Sequence, residues 1–93
     1  MRDYQDIIAQ ILNCAQRNHG LPKTRLMYEV QLSFSQVKEY LKYLQQVELL
    51  SYDEESRVFR TTRKGKNFLE LYNGMTELLT GRKREKYADT DNI

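Results

Sequence analysis

The sequence predicts a mainly α-helical domain carrying one small β-hairpin, in the order α–α–α–β–β–α. Three observations lead there. Apolar residues recur at i, i+3, i+4 and i+7 in two stretches, Tyr4 to Ala15 and Phe34 to Leu44, which is the spacing of a helix with one buried face. Between Leu49 and Thr61 that period gives way to two short strand-like runs on either side of an acidic turn. The segment KTRLMYEV, Lys23 to Val30, is separated only by Gln31 and Leu32 from Ser33, where the next helix can start, so two short helices meet across a tight turn.

Helix 1 is expected from about Asp3 to Asn18, with Asp3 as N-cap and Tyr4, Ile7, Ile8, Ile11, Leu12 and Ala15 as its stripe. His19-Gly20 is a stop signal, because glycine takes the left-handed conformation cheaply, and Pro22 blocks any continuation. Cys14 flanks the stripe as a small, partly buried filler. Helix 2, about Lys23 to Val30, turns Leu26, Met27 and Val30 inward. Ser33 opens helix 3, and Gln36 three residues later completes a capping box. The inward face of helix 3 carries Phe34, Val37, Leu41 and Leu44, with Tyr40 and Val47 at its edge. At about 100° per residue the opposite face carries Ser35, Lys38, Glu39, Lys42 and Gln46, flanked by Gln36 and Tyr43. Leu49 to Tyr52 and Arg57 to Thr61 are the expected strands. Asp53-Glu54-Glu55-Ser56, lacking glycine, is expected as a loop built on a type I turn. Thr61 or Thr62 caps helix 4, whose stripe Phe68, Leu71, Tyr72, Met75, Leu78 and Leu79 runs to the helix end. Gly74 weakens that helix by roughly 1 kcal/mol relative to alanine. One domain is expected over residues 1–80, and the polar stretch 81–93, GRKREKYADTDNI, is expected to be a disordered tail.

Composition narrows the function. Ninety-three residues, 40% hydrophobic and 30% charged, hold one small core. No apolar run reaches bilayer length, and MRDYQDII lacks the basic-then-apolar order of a signal peptide. The lone Cys14 excludes an internal disulfide, so a cytoplasmic protein with no membrane partner is the expectation. Catalysis has little support. His19 is the only histidine, and one His with one Cys cannot supply the four ligands of a zinc site. Asp53, Glu54 and Glu55 are adjacent and point different ways in a turn, which makes a poor acid/base pair. The glycine-rich phosphate loops are absent. No enzyme activity, metal, cofactor or small-molecule ligand is expected.

Two short helices joined by a tight turn and followed by a hairpin make a winged helix-turn-helix, which offers one exposed helix face to a DNA major groove. The net charge of +2 argues nothing alone, but Arg57, Arg60, Arg63, Lys64 and Lys66 fall together without an intervening acid. On helix 3, Lys38 and Lys42 suit phosphate or guanine, Ser35, Gln36 and Tyr43 suit base edges or backbone, and Glu39 suits cytosine N4. A plain solvated face is the competing reading, and Glu39 fits that better. Arg57 and Arg60 on the return strand, with Arg63 and Lys64 opening helix 4, are placed to hold phosphate from the flank of the wing, because its acidic tip is repelled. Their alternative is pairing with Asp53 to Glu55 across the hairpin. Lys23 and Arg25 near the start of helix 2 are a weaker third element. Tyr4, Tyr40 and Tyr72, on apolar stripes, are assigned to the core and not to base stacking.

Over KTRLMYEVQLSFSQVKEYLKYL, Lys23 to Leu44, and VFRTTRKGKNFLELY, Val58 to Tyr72, the chain resembles the archaeal winged helix-turn-helix domains classed as transcriptional regulators. That family includes small crenarchaeal DNA-binding proteins that dimerise through a long C-terminal helix. The likeness covers most of residues 3–79. Its Thr-x-x-Gly-x-x-Phe-Leu element, Thr62 to Leu69, is common to winged-helix proteins at large, whereas KTRLMY followed by LSFSQVKEYL is narrower. The resemblance implies a nucleoid-associated homodimer that binds double-stranded DNA as a regulator or a chromatin protein. The chain departs from the family at Glu48, where glycine is usual before the Leu-Leu pair; strain at a left-handed cap predicts a different end to helix 3. The C-terminal helix is also short for the family. Phe68, Leu71, Met75 and Leu78 follow an a/d-like spacing, widened by Tyr72 and Leu79, and these six are the expected dimerisation residues. Phe68 and Leu71 are expected on helix 1 of their own chain, with Met75, Leu78 and Leu79 reaching the partner. The competing function is a winged helix that assembles with a protein and has negligible affinity for DNA.

Overall fold

The computed structural model describes residues 2–80. Helix α1 spans Tyr4–Arg17, α2 Lys23–Glu29 and α3 Phe34–Gln46, followed by strands β1 Leu50–Asp53 and β2 Val58–Thr61 and by helix α4, Arg63–Thr80. This is the winged helix-turn-helix order, four helices with one antiparallel hairpin. The expected tail lies outside the described residues. Both predicted N-terminal devices are present. Asp3 Oδ1 accepts from the Asp6 N–H at 2.9 Å. Ser33 and Gln36 form the reciprocal capping box, at 3.0 and 3.2 Å.

The core gathers Ile8, Ile11, Leu12 and Ala15 of α1, Leu26 of α2, and Val37, Leu41 and Leu44 of α3. Leu49, Leu50 and Phe59 close it from the hairpin, and Leu69 from α4. Cys14 is fully buried, more than expected, and burial is the main reason its thiol pKa is raised. An unanticipated pairing anchors the wing: the Leu21 N–H donates to the Phe59 carbonyl at 3.1 Å, and the Phe59 N–H to the Leu21 carbonyl at 2.8 Å. Gly20, at φ +110°, allows this approach, since a Cβ there would lie 2.8 Å from Val58 Cγ2.

The first three helices end alike. An N–H just past the helix reaches the carbonyl five residues back, Gly20 to Ala15 at 2.8 Å, Leu32 to Met27 at 3.1 Å and Leu49 to Leu44 at 2.9 Å. This motif needs a residue in the left-handed region, and none of the three is glycine: His19 has φ +57°, Gln31 +56° and Glu48 +65°. The expectation that Glu48 would change the end of α3 is therefore corrected. The helix keeps the left-handed cap and bears its strain, held by the start of α4. Thr62 Oγ1 donates to the Glu48 carbonyl at 2.7 Å, the Thr62 N–H to the Leu49 carbonyl at 3.1 Å, and Lys64 Nζ to the Val47 carbonyl at 2.9 Å. Thr62 Oγ1 also accepts from the Gly65 N–H at 3.0 Å, so Thr62 and not Thr61 caps α4. Thr61 Oγ1 donates instead to the Leu12 carbonyl at 2.6 Å.

The strands differ from expectation by one residue. Leu50 pairs with Thr61, Ser51 with Arg60, Tyr52 with Phe59 and Asp53 with Val58. Arg57 thus leaves the strand for the turn, where it adopts φ +59° and donates its N–H to the Asp53 carbonyl at 2.7 Å. Three further expectations are corrected on packing. Phe34, assigned inward, is 54% exposed, because the first residue of α3 lies beyond the reach of the core. Tyr4, assigned to the core, is 51% exposed. Leu71, assigned to α1, is 76% exposed; α4 instead turns Gly65 and Leu69 inward, with Phe68 and Tyr72 half-buried. The Tyr72 hydroxyl donates to the Asp6 carboxylate, so this member of the expected dimerisation set bonds to its own α1.

Candidate nucleic-acid interface

Leu26 and Val37 are fully buried where α2 meets α3, and with Leu41 and Leu44 they fix which face of α3 points outward. That face carries Ser35, Gln36, Lys38, Glu39, Lys42 and Gln46, all exposed. Two of the six are already engaged. Gln36 Oε1 accepts from the Ser33 N–H, and Ser35 Oγ lies 3.4 Å from Ser33 Oγ. Lys38, Glu39 and Lys42 form no hydrogen bond or ion pair among the described residues, so their charges face solvent. Tyr43 points elsewhere. Its ring centroid is 5.9 Å from that of Tyr4, which is 5.5 Å from Tyr40. Tyr4 and Tyr43 line an apolar groove of about 460 Å³ between α1, α3 and α4, together with Val47, Phe68 and Leu71.

On the wing the acid and the base are joined. Arg60 Nη1 donates to Asp53 Oδ2 at 2.6 Å, and its Nε to the His19 carbonyl at 3.3 Å. Asp53 Oδ1 accepts from the N–H groups of Glu55 at 3.0 Å and Ser56 at 3.4 Å, which fastens the turn. Arg60 first, then Ser56 and Glu55, hold the Asp53 carboxyl down to a pKa of about 2. Lys64 is likewise committed, to the end of α3. Arg57, Arg63 and Lys66 are exposed and have no side-chain partner among the described residues.

Near α2, Arg25 pairs with Glu29 at 3.0 Å, and Lys23 Nζ sits 4.7 Å from the centroid of the Phe34 ring. Arg2 has a role that no spacing or motif signalled. It donates to the Val30 carbonyl at 2.6 Å, the Gln31 carbonyl at 3.3 Å and Gln10 Oε1 at 2.8 Å, placing a cation on the carbonyl end of α2. Among the described residues there is no cluster of three or more metal-ligating side chains, and no helix is long and apolar enough to cross a membrane.

The family model described as winged helix-turn-helix matches residues 1–80. The chain belongs to that family. Among solved structures, this winged helix-turn-helix protein is similar to the multiple antibiotic-resistance repressor (MarR) of Listeria monocytogenes, with a TM-score of 0.64 at 12% identity. The match covers 85% of this chain and 62% of the repressor, so the chain spans about three fifths of that protein's length. At that identity the likeness is one of fold. No curated protein matches the chain.

Proposed function

We propose that this winged helix-turn-helix protein binds double-stranded DNA as a homodimer and serves as a transcriptional regulator or a small chromatin protein of the archaeal type. Helix α3 enters the major groove, presenting Lys38, Glu39 and Lys42 to base edges and phosphates. Arg57 and Arg63, with Arg60 and Lys64 beside them, meet the adjacent backbone from the wing. The observation that carries this reading is the outward face of α3, held by a fully buried helix-turn-helix seam and bearing two lysines with no partner among the described residues. The exposed row Leu71, Met75, Leu78 and Leu79 on α4 supports the homodimer, since an apolar row of that length on a small domain marks an interaction surface. Tyr72 is left out of that surface by its bond to Asp6.

A specific observation favours the other reading, a protein-binding winged helix. Arg25, Arg60 and Lys64 are already bound within the chain, which thins the charge available for phosphate. Salt separates the two. If roughly six cations of a dimer reach phosphate, the logarithm of the DNA affinity should fall with the logarithm of salt at a slope near −5. Fluorescence anisotropy on random duplexes across a salt series measures it. Absence of binding at low salt would leave the protein-partner reading standing.

A further inference from the structure

Phe34 is the first residue of the 13-residue helix α3, yet its ring is 54% exposed. A phenylalanine on a surface is common enough singly, but this one has a fixed neighbour of opposite character, the Lys23 ammonium 4.7 Å from its centroid. Lys38 and Lys42 follow four and eight residues on, about 40° and 80° further round the helix, so the ring lies at the edge of the buried stripe, beside the exposed face that carries the two lysines. When a helix-turn-helix docks, the first turn of its second helix comes nearest the base edges. Among the groups bases present in the major groove, the 5-methyl of thymine is the apolar one, and phenylalanine is among the side chains that contact it.

We propose that Phe34 is a specificity-determining residue that reads a thymine 5-methyl group, with Lys23 steadying the ring and supplying a cation to the neighbouring phosphate. This rests on the DNA-binding reading above and adds a chemical preference to it. The cation on the ring also argues against burial in a greasy protein pocket, because the Lys23 charge would be desolvated along with the ring.

The test removes the methyl without touching a hydrogen bond. Duplexes selected for binding are prepared with thymidine and, in parallel, with deoxyuridine at every thymidine position, and their affinities are measured at one salt concentration. Wild type should bind the uracil duplex roughly fourfold more weakly for each methyl contacted, the ratio corresponding to one buried CH2-sized group. Phe34→Ala should bind the thymine duplex more weakly than wild type and no longer distinguish the two. Phe34→Gln should behave likewise and stands in if the alanine variant does not fold. Equal wild-type affinity for both duplexes overturns the proposal even though DNA binding survives, as does a thymine preference that persists in a folded variant. Failure of wild type to bind any duplex overturns the DNA reading and this inference with it.

Discussion

His19, Gln31 and Glu48 occupy left-handed backbone positions that glycine fills at lower cost. Glu48 is the least suited of the three, because its carboxylate also stands at the carbonyl end of α3, where negative charge is disfavoured. Its side chain makes no hydrogen bond or ion pair among the described residues, so replacing it should leave the α3–α4 junction intact. Glu48→Gly is therefore expected to stabilise the fold by about 0.5–1 kcal/mol, the strain relieved less the extra freedom of an unfolded glycine. Urea denaturation of the two proteins measures this, and a less stable variant would mean the cap is not strained. Asp53 gives a second outcome at this scale. Its carboxyl lies lower in the fold, at about 2, than its ordinary 3.8. The stability it lends is then complete above that ordinary value and is lost as pH falls through 2. An NMR titration should find Asp53 among the last carboxylates to protonate, and Arg60→Ala should move its midpoint upward. An unmoved midpoint in that variant would place the ion pair elsewhere than in solution.

The element scale explains the Thr-x-x-Gly-x-x-Phe-Leu sequence. Thr62 caps α4 and binds the end of α3, Gly65 passes against β1's approach, Phe68 half-covers the groove and Leu69 enters the core. A Cβ on Gly65 would strike the Leu49 carbonyl oxygen and lie 2.7 Å from Thr61 Cγ2. Gly65→Ala should therefore destabilise the fold by about 1–3 kcal/mol despite alanine's better helix propensity, whereas Gly74→Ala, with nothing near its Cβ, should stabilise it. Thermal unfolding of both variants checks the contrast, and similar shifts for the two would refute it. Much of this architecture was legible beforehand. The apolar spacing marked α1 and α3, and Ser33 with Gln36 marked a helix start that the structure contains. The periodicity of an apolar stripe does not say whether a neighbour is there to meet it, which is why Phe34, Tyr4 and Leu71 read as inward-facing from sequence yet are exposed. Leu21 was invisible because a single paired residue between glycine and proline has no strand pattern. Arg57 reads as a strand residue because its left-handed turn conformation has no glycine to announce it. For the candidate site, the outward face of α3 followed from the stripe opposite it. Which cations were already committed did not, since Arg60 to Asp53, Lys64 to Val47 and Arg2 to Val30 are each decided by tertiary approach.

At the scale of the whole molecule, the exposed end of α4 is where the proposed homodimer can be tested. Leu78 and Leu79 are 86% and 77% exposed, and covering a leucine contributes roughly 1.5–3 kcal/mol. Leu78→Asp combined with Leu79→Asp should turn a dimer into folded monomers, read by sedimentation equilibrium with circular dichroism as the folding control. A monomeric wild type at tens of micromolar would remove the homodimer, and with it the expectation of a two-fold symmetric site. The junction of α3 with α4 bears on how such a dimer would meet DNA. The carbonyls of Val47, Glu48 and Leu49 all accept hydrogen bonds from Thr62 or Lys64. Mechanically these bonds tie the two helices at one point, so a turn at the start of α4 would be felt at the end of α3. A dimer built on α4 would then behave as a stiff caliper whose jaws are the two α3 helices. One base pair inserted between half-sites rotates one of them by about 35°, and the misfit would fall on the twist of the DNA instead of being absorbed by a hinge in the protein.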